Sequence, residues 1–258
     1  MKKKEKSFFS ETRKQGILSY PFESFASFKN RVDLLKENRQ AFFNQEKDRG
    51  MISFPFFDEF LYVSKSLFLI QSSKHLRFWE AAATWTVDYN NSFLSYIQIK
   101  PKKRVLNEEM IRHEAIHEMR QGFKEKIFEE FLAYNTSKSF FRRIFGPIFF
   151  STQETLVFVG VFYISLLVFF FTENEIGFIG LAWIVVFLIL RLGICHLIFF
   201  RCLKKIARIF PWKDPLAIAV SLTDKEILVI AIKKNLFSLS QIKKENSPRW
   251  QQILDTFT

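Results

Sequence analysis

The sequence predicts a mostly α-helical protein with a small β element and a two-helix transmembrane hairpin. Three observations predict it. Residues 155–171 and 176–190 carry no charge, and they flank the polar turn Thr172-Glu173-Asn174-Glu175. Each run is long enough, or nearly so, to cross a hydrocarbon core of about 30 Å as a helix. Apolar residues cover every helical face of both runs, which distinguishes them from the one-sided helix of a soluble fold. Upstream, residues 23–48 and 108–121 read as helices, whereas residues 93–100 alternate with the two-residue period of a strand.

Residues 1–22 open on Met1-Lys2-Lys3-Lys4-Glu5-Lys6 with no apolar run behind it, so they read as a basic, poorly ordered tail rather than a signal peptide. Phe25, Phe28, Val32, Leu35 and Phe42 then fall on one helical face, and Arg49-Gly50 ends that helix. Residues 51–72 are rich in aromatics, and Pro55 suggests a helix starting near Asp58 whose aromatic stripe reads as core rather than as a membrane-surface or binding face. Residues 75–88, with Trp79 and Trp85, read as another helix; His75, between Lys74 and Arg77, reads as surface. Asn90-Asn91-Ser92 marks a turn into the strand at 93–100, which Pro101 closes. That strand is either a free edge able to pair with an extended peptide or an ordinary strand; both readings stay open. Lys102-Lys103-Arg104 makes a basic loop.

The next stretch carries the chemistry. Asn107 is a good N-cap, Glu108 and Glu109 suit a helix's first turn, and Gly122 supplies the stop. Within that helix lies His113-Glu114-Ala115-Ile116-His117. Positions i and i+4 stand one turn apart on one face, so two imidazoles there can share one Zn²⁺. Arg120 falls on the same face, and Glu114 borders it, placed to take a proton from a water on the metal. The alternative is a solvated helix with two surface histidines. A zinc site needs a third ligand. Residues 124–145 read as a second helix, and if it doubles back as a hairpin, Glu129 or Glu130 returns to the height of the histidines.

The pair of motifs resembles the gluzincin arrangement of HtpX-type and CAAX prenyl membrane proteases. The likeness covers about residues 95–135. It implies His113, His117 and Glu130 (the start of Glu130-Phe-Leu-Ala133) as zinc ligands and Glu114 as general base. Tyr134 stands where that family has Asp. The spacer between the motifs is shorter here and holds no membrane hairpin. The motifs followed by an apolar hairpin also resemble certain chlamydial membrane proteins, which implies no substrate. Residues 23–147 are thus expected to form a minimal zincin-like domain hydrolysing peptide bonds in a membrane-associated peptide or protein. Tyr134, four residues after Glu130, shares its helical face, as packing or as a donor to a developing oxyanion.

Gly146-Pro147 closes the second helix, and the hairpin at 153–200 follows. Lys138, Arg142 and Arg143 precede it, Arg201, Lys204, Lys205 and Arg208 follow it, and the turn carries two Glu and no cation. The positive-inside rule then expects an integral protein of the cytoplasmic membrane with both termini cytoplasmic. Arg191 can pair or snorkel, and His196 reads as interfacial. Cys195 and Cys202, seven residues apart on one helix, are too distant for a disulfide. Residues 201–258 read as a helical cytoplasmic tail, with Asp214-Pro215, Thr223–Glu226 and Ser247-Pro248 as helix starts. The net charge of +12 accompanies no aromatic and basic platform for nucleic acid, so the bilayer is the partner it suits. The competing reading is a non-enzymatic membrane protein whose N-terminal helices bind partners or anionic lipid.

Overall fold

The computed structural model describes residues 3–58, 61, 63–77, 81–90, 92–101, 108–123, 125–172, 176–233 and 247–257. The chain is mostly helical, with one four-stranded sheet and two long apolar helices. In order, the elements are α1 (Lys3–Lys14), α2 (Phe25–Glu46), β1 (Met51–Asp58), β2 (Val63–Gln71), β3 (Ala82–Tyr89), β4 (Ser92–Ile99), α3 (Glu108–Arg120), α4 (Glu129–Asn135), α5 (Phe140–Phe145), α6 (Thr152–Thr172), α7 (Ile176–Ile209), α8 (Pro215–Ala219), α9 (Asp224–Ile232) and α10 (Pro248–Phe257).

The sheet order is β1-β2-β4-β3. β1 pairs antiparallel with β2, β2 parallel with β4, and β3 antiparallel with β4. Successive side chains leave a strand on opposite faces. Leu67, Leu69, Ile97 and Ile99 therefore meet Ile111, Ala115 and Ile116 of α3. Phe68 and Leu94 instead meet Phe42 of α2 on the other face. Both faces of the sheet are covered, and α3 lies along one of them.

Three expectations change here. The helices expected from Asp58 and over 75–88 are strands: β1, β2 and β3 occupy those segments, and Pro55 sits on the edge strand β1, where its missing N–H interrupts no inner ladder. Trp79, Phe60 and Tyr62 lie outside the described residues, as do Asn107 and the loop at Lys102-Lys103-Arg104. The strand at 93–100 is β4, which has a neighbour on each side, so it is no edge; β3 is the edge on that side of the sheet. Finally, residues 3–22 are no loose tail. α1 places Phe9 in a cluster with Phe28 and Val32. Arg13 is buried, donating to Ser221 Oγ at 2.9 Å and the Ala217 carbonyl at 2.7 Å. Gln252 of α10 donates to Thr12 Oγ1 at 3.0 Å.

The C-terminal segment is built as its signals imply. Asp214 accepts from the Leu216 N–H at 2.8 Å, and Thr223 and Glu226 form a reciprocal capping box. α6 and α7 contain segments, Gln153–Thr172 and Gly177–Ile209, long and apolar enough to cross a membrane. Only 6% and 17% of their most apolar windows are covered by the rest of the chain, whereas a core helix would be largely covered. Arg191 pairs with Glu154 at 2.9 Å, tying α7 to the start of α6. α7 runs on without a break to Ile209, so Phe199, Cys202 and Ile206 are buried in the main core. Cys195 and Cys202 are buried free thiols.

Candidate metal centre

α3 is held from both ends. Near its start, Glu109 accepts from the Ser137 hydroxyl and from the Lys138 N–H at 2.8 Å, and pairs with Arg142 at 2.8 Å. At its end, Arg120 is fully buried and donates to the carbonyls of Val220 and Leu222 at 2.7 and 2.8 Å. Arg120 thus ties α3 to the C-terminal segment, while its charge also acts on Glu129. The turn that follows needs Gly122 for space: a Cβ there would lie 2.0 Å from the Tyr20 ring. Between these anchors, Ile111, Ala115 and Ile116 are buried, and His113 and His117 turn toward α4.

The expected helix over 124–145 is two short helices, α4 and α5, broken around Ser137. α4 begins only at Glu129, because the Asp224 carboxylate accepts from the N–H groups of Ile127 at 2.8 Å and Phe128 at 3.2 Å. An acceptor there satisfies donors that precede the first turn and sets where the helix starts. Glu129 and Glu130 consequently fall in that first turn, facing the histidines.

His113 Nε2 and His117 Nε2 stand 3.2 Å apart. Glu130 places one carboxylate oxygen 3.7 Å from the first and the other 3.6 Å from the second. One donor atom from each of the three residues falls within 4.8 Å of the others. Ligands about 2.0–2.1 Å from a tetrahedral Zn²⁺ lie about 3.4 Å from one another. The donor set therefore fits zinc in both chemistry and spacing. Glu129 Oε1 lies 2.7 Å from His117 Nδ1. A carboxylate only accepts, so Nδ1 carries a proton, which leaves Nε2 as the nitrogen that can offer a lone pair to the cluster once His117 is neutral.

Glu114 is buried, and Thr84 Oγ1 on β3 donates to its Oε2 at 2.8 Å. The Tyr134 ring meets His113 edge to face with centroids 4.5 Å apart. Gly146 backs it closely, since a Cβ there would lie 2.3 Å from that ring. These groups line an open cleft of about 750 Å³. One wall is β3, from Ala82 to Thr86; another is the approach to α6, through Phe149, Ser151 and Thr155.

The electrostatics separate the two histidines. Burial, then the neighbouring His117 and Arg142, lowers His113 to about 3, so it is neutral. Burial also opposes charge on His117, but the hydrogen bond it donates to Glu129 and the charges of Glu130 and Glu114 outweigh it and raise His117 to about 9. Burial raises Glu130, helped by Glu129 and Glu114 and opposed by His117. Burial likewise raises the Tyr134 phenol.

The structure thus brings His113, Glu114, His117, Glu130 and Tyr134 to one cleft. Thr84 and Asp224 were not anticipated. Reading Thr84-Trp85-Thr86-Val87 as an alternating strand would have placed Thr84; nothing local in the sequence points from Asp224 to α4. His196 lies elsewhere, with its Nε2 2.8 Å from the Ile144 carbonyl and its ring on Phe131. His75 is exposed. A second cavity, of about 620 Å³, lies between α2 and the sheet. Three of the cations that line it are engaged within the chain: Arg31 with Glu23, Lys65 with Glu118, and Arg39 with the Ser66 carbonyl. No protein-family model, curated protein or solved structure matches the chain.

Proposed function

We propose that this protein is a membrane-anchored, zinc-dependent peptidase working at the cytoplasmic face. The observation that carries this reading is the three-donor cluster of His113, His117 and Glu130, with Glu114 beside it in one cleft. Bound zinc would acidify a water and polarise a scissile carbonyl. The remaining work falls to the chain. Glu114, positioned by Thr84, takes the proton of the attacking water and passes it to the leaving amine. Glu129 orients His117 through Nδ1. Tyr134, already against His113, donates its phenol proton in a hydrogen bond to the developing oxyanion.

The substrate is a peptide in extended form. β3 is an edge strand and forms a wall of the cleft. An extended peptide laid along that edge would use its free N–H and C=O groups and pass beside the cluster. α6 and α7 cross the cytoplasmic membrane. Lys138, Arg142, Arg143, Arg201, Lys204, Lys205 and Arg208 flank them, against two Glu in the intervening turn, and this asymmetry supports an orientation with both termini and the cleft inside.

The test uses purified full-length protein. Wild type should carry about one zinc per chain and hydrolyse an unstructured protein substrate. Glu114→Gln should keep the zinc and lose hydrolysis. If wild type contains no zinc and takes none up when zinc is supplied, the reading is wrong.

A further inference from the structure

We propose that α5 lies in the headgroup layer of the cytoplasmic leaflet and holds the mouth of the cleft against an anionic lipid surface. This rests on reading α6 and α7 as membrane spans. Phe140, Phe141 and Phe145 are 63%, 72% and 51% exposed, although they are the largest apolar side chains of a six-residue helix. They form one patch, since Phe141 touches both of the others, with ring centroids 6.2 Å apart in each case. Lys138, Arg142 and Arg143 are interleaved with them. Water is a poor partner for that patch. A layer that offers apolar depth and anionic headgroups together suits both halves of it.

The height of α5 can be worked from its contacts. The Arg191–Glu154 pair marks the cytoplasmic limit of the uncharged part of α6. His196 of α7 contacts the carbonyl of Ile144 in α5. His196 is five residues beyond Arg191, or about 7.5 Å along the helix. The interfacial layer on each side of a bilayer is about 5–8 Å thick. Ile144 therefore sits within that layer, and the adjacent phenylalanines can reach the acyl boundary.

This placement is coupled to the cleft. Arg142 of α5 lines it and pairs with Glu109 at the start of α3. Phe149, Ser151 and Thr155, at the entry to α6, line it as well. The cleft then opens at the bilayer surface, and the peptide class it meets first is a segment just leaving the membrane.

The test needs neither zinc nor activity. Full-length Phe141→Cys carries an environment-sensitive fluorophore in vesicles of phosphatidylcholine and phosphatidylglycerol, with the signal of any label on the native Cys195 and Cys202 subtracted using wild type. Asp33→Cys, on exposed α2, reports water, and Val168→Cys, within α6, reports the hydrocarbon. Lipids spin-labelled near the headgroup should quench the probe at 141 several-fold more than at 33, with a blue-shifted emission. Lipids spin-labelled deep in the chain should quench 168. If 168 is quenched and 141 behaves like 33, the placement of α5 is overturned while the membrane reading stands. If 168 is not quenched, the membrane reading falls and takes this proposal with it.

Discussion

Acidification should strip zinc from this site far more steeply than ordinary histidine ligands allow. Metal binding requires neutral imidazole, so every proton held by a ligand competes with it. His117 holds its proton up to about 9, because Glu129, Glu130 and Glu114 surround it. Its folded value is raised, so affinity should climb as pH rises and level off only above about 9. His113, lowered to about 3, is neutral throughout and adds nothing to the slope. A ligand titrating at about 9 weakens the apparent affinity about 90-fold between about pH 8 and pH 6, whereas an unperturbed histidine near 6.5 gives about fourfold. Glu130, also raised, acts in the same direction. The assay is competition for zinc against a chelator of known proton affinity, at fixed ionic strength, on the full-length chain. Glu129→Gln removes the carboxylate charge beside Nδ1, so its curve should flatten toward the fourfold limit. A wild-type change near fourfold, or a Glu129→Gln curve that overlays wild type, would refute the argument that the carboxylates set this histidine's basicity.

Glu130→Ala should abolish tight zinc binding, whereas Glu129→Ala should weaken it about 10–100-fold by releasing His117; metal titration of both variants decides which carboxylate is the ligand. A reporter fused after Thr258 should read cytoplasmic and one inserted at Asn174 external, and an external C-terminal signal would reverse the orientation. Asp224→Ala leaves the N–H groups of Ile127 and Phe128 without their acceptor, so it should destabilise the protein by about 0.5–2 kcal/mol, as loss of an N-cap does. Thermal unfolding reads that loss, and zinc affinity should fall with it if Asp224 sets where Glu130 starts its turn.

Much of the site could be read directly because its determinants are local. The i, i+4 histidines, the acidic first turn and the Thr223–Glu226 capping box each need only neighbours within one turn. The apolar helices are legible for the same reason. The sheet was harder to read because α2 covers one face and α3 the other. With both faces apolar, Leu67-Phe68-Leu69-Ile70 becomes a continuous run, and a continuous run does not separate strand from buried helix. α1 was misread for a different reason. Lys3 to Lys14 is rich in charge, and what orders it lies more than 200 residues away: Ser221 and Ala217 accept from Arg13, and Gln252 donates to Thr12. No window of sequence contains that information. The same holds for Asp224 and the start of α4, 96 and 97 residues apart.

α7 is a single rod of 34 residues, about 50 Å long at 1.5 Å per residue. Phe128 and Phe131 rest on Phe199, near the lower end of that rod, with ring centroids 6.2 and 6.0 Å away. If α6 and α7 span a bilayer as proposed, the helix that carries Glu129 and Glu130 is seated on the arm of a lever whose fulcrum is that bilayer. From mid-span near Val186 to Phe199 the arm is about 20 Å. A tilt of about 5° moves its end by about 1.7 Å, beyond the tolerance of about 0.5 Å for a working constellation. Helices adjust tilt to bilayer thickness. On that reading the seat of α4 would feel lipid chain length, and a micelle and a thick membrane would load the site differently.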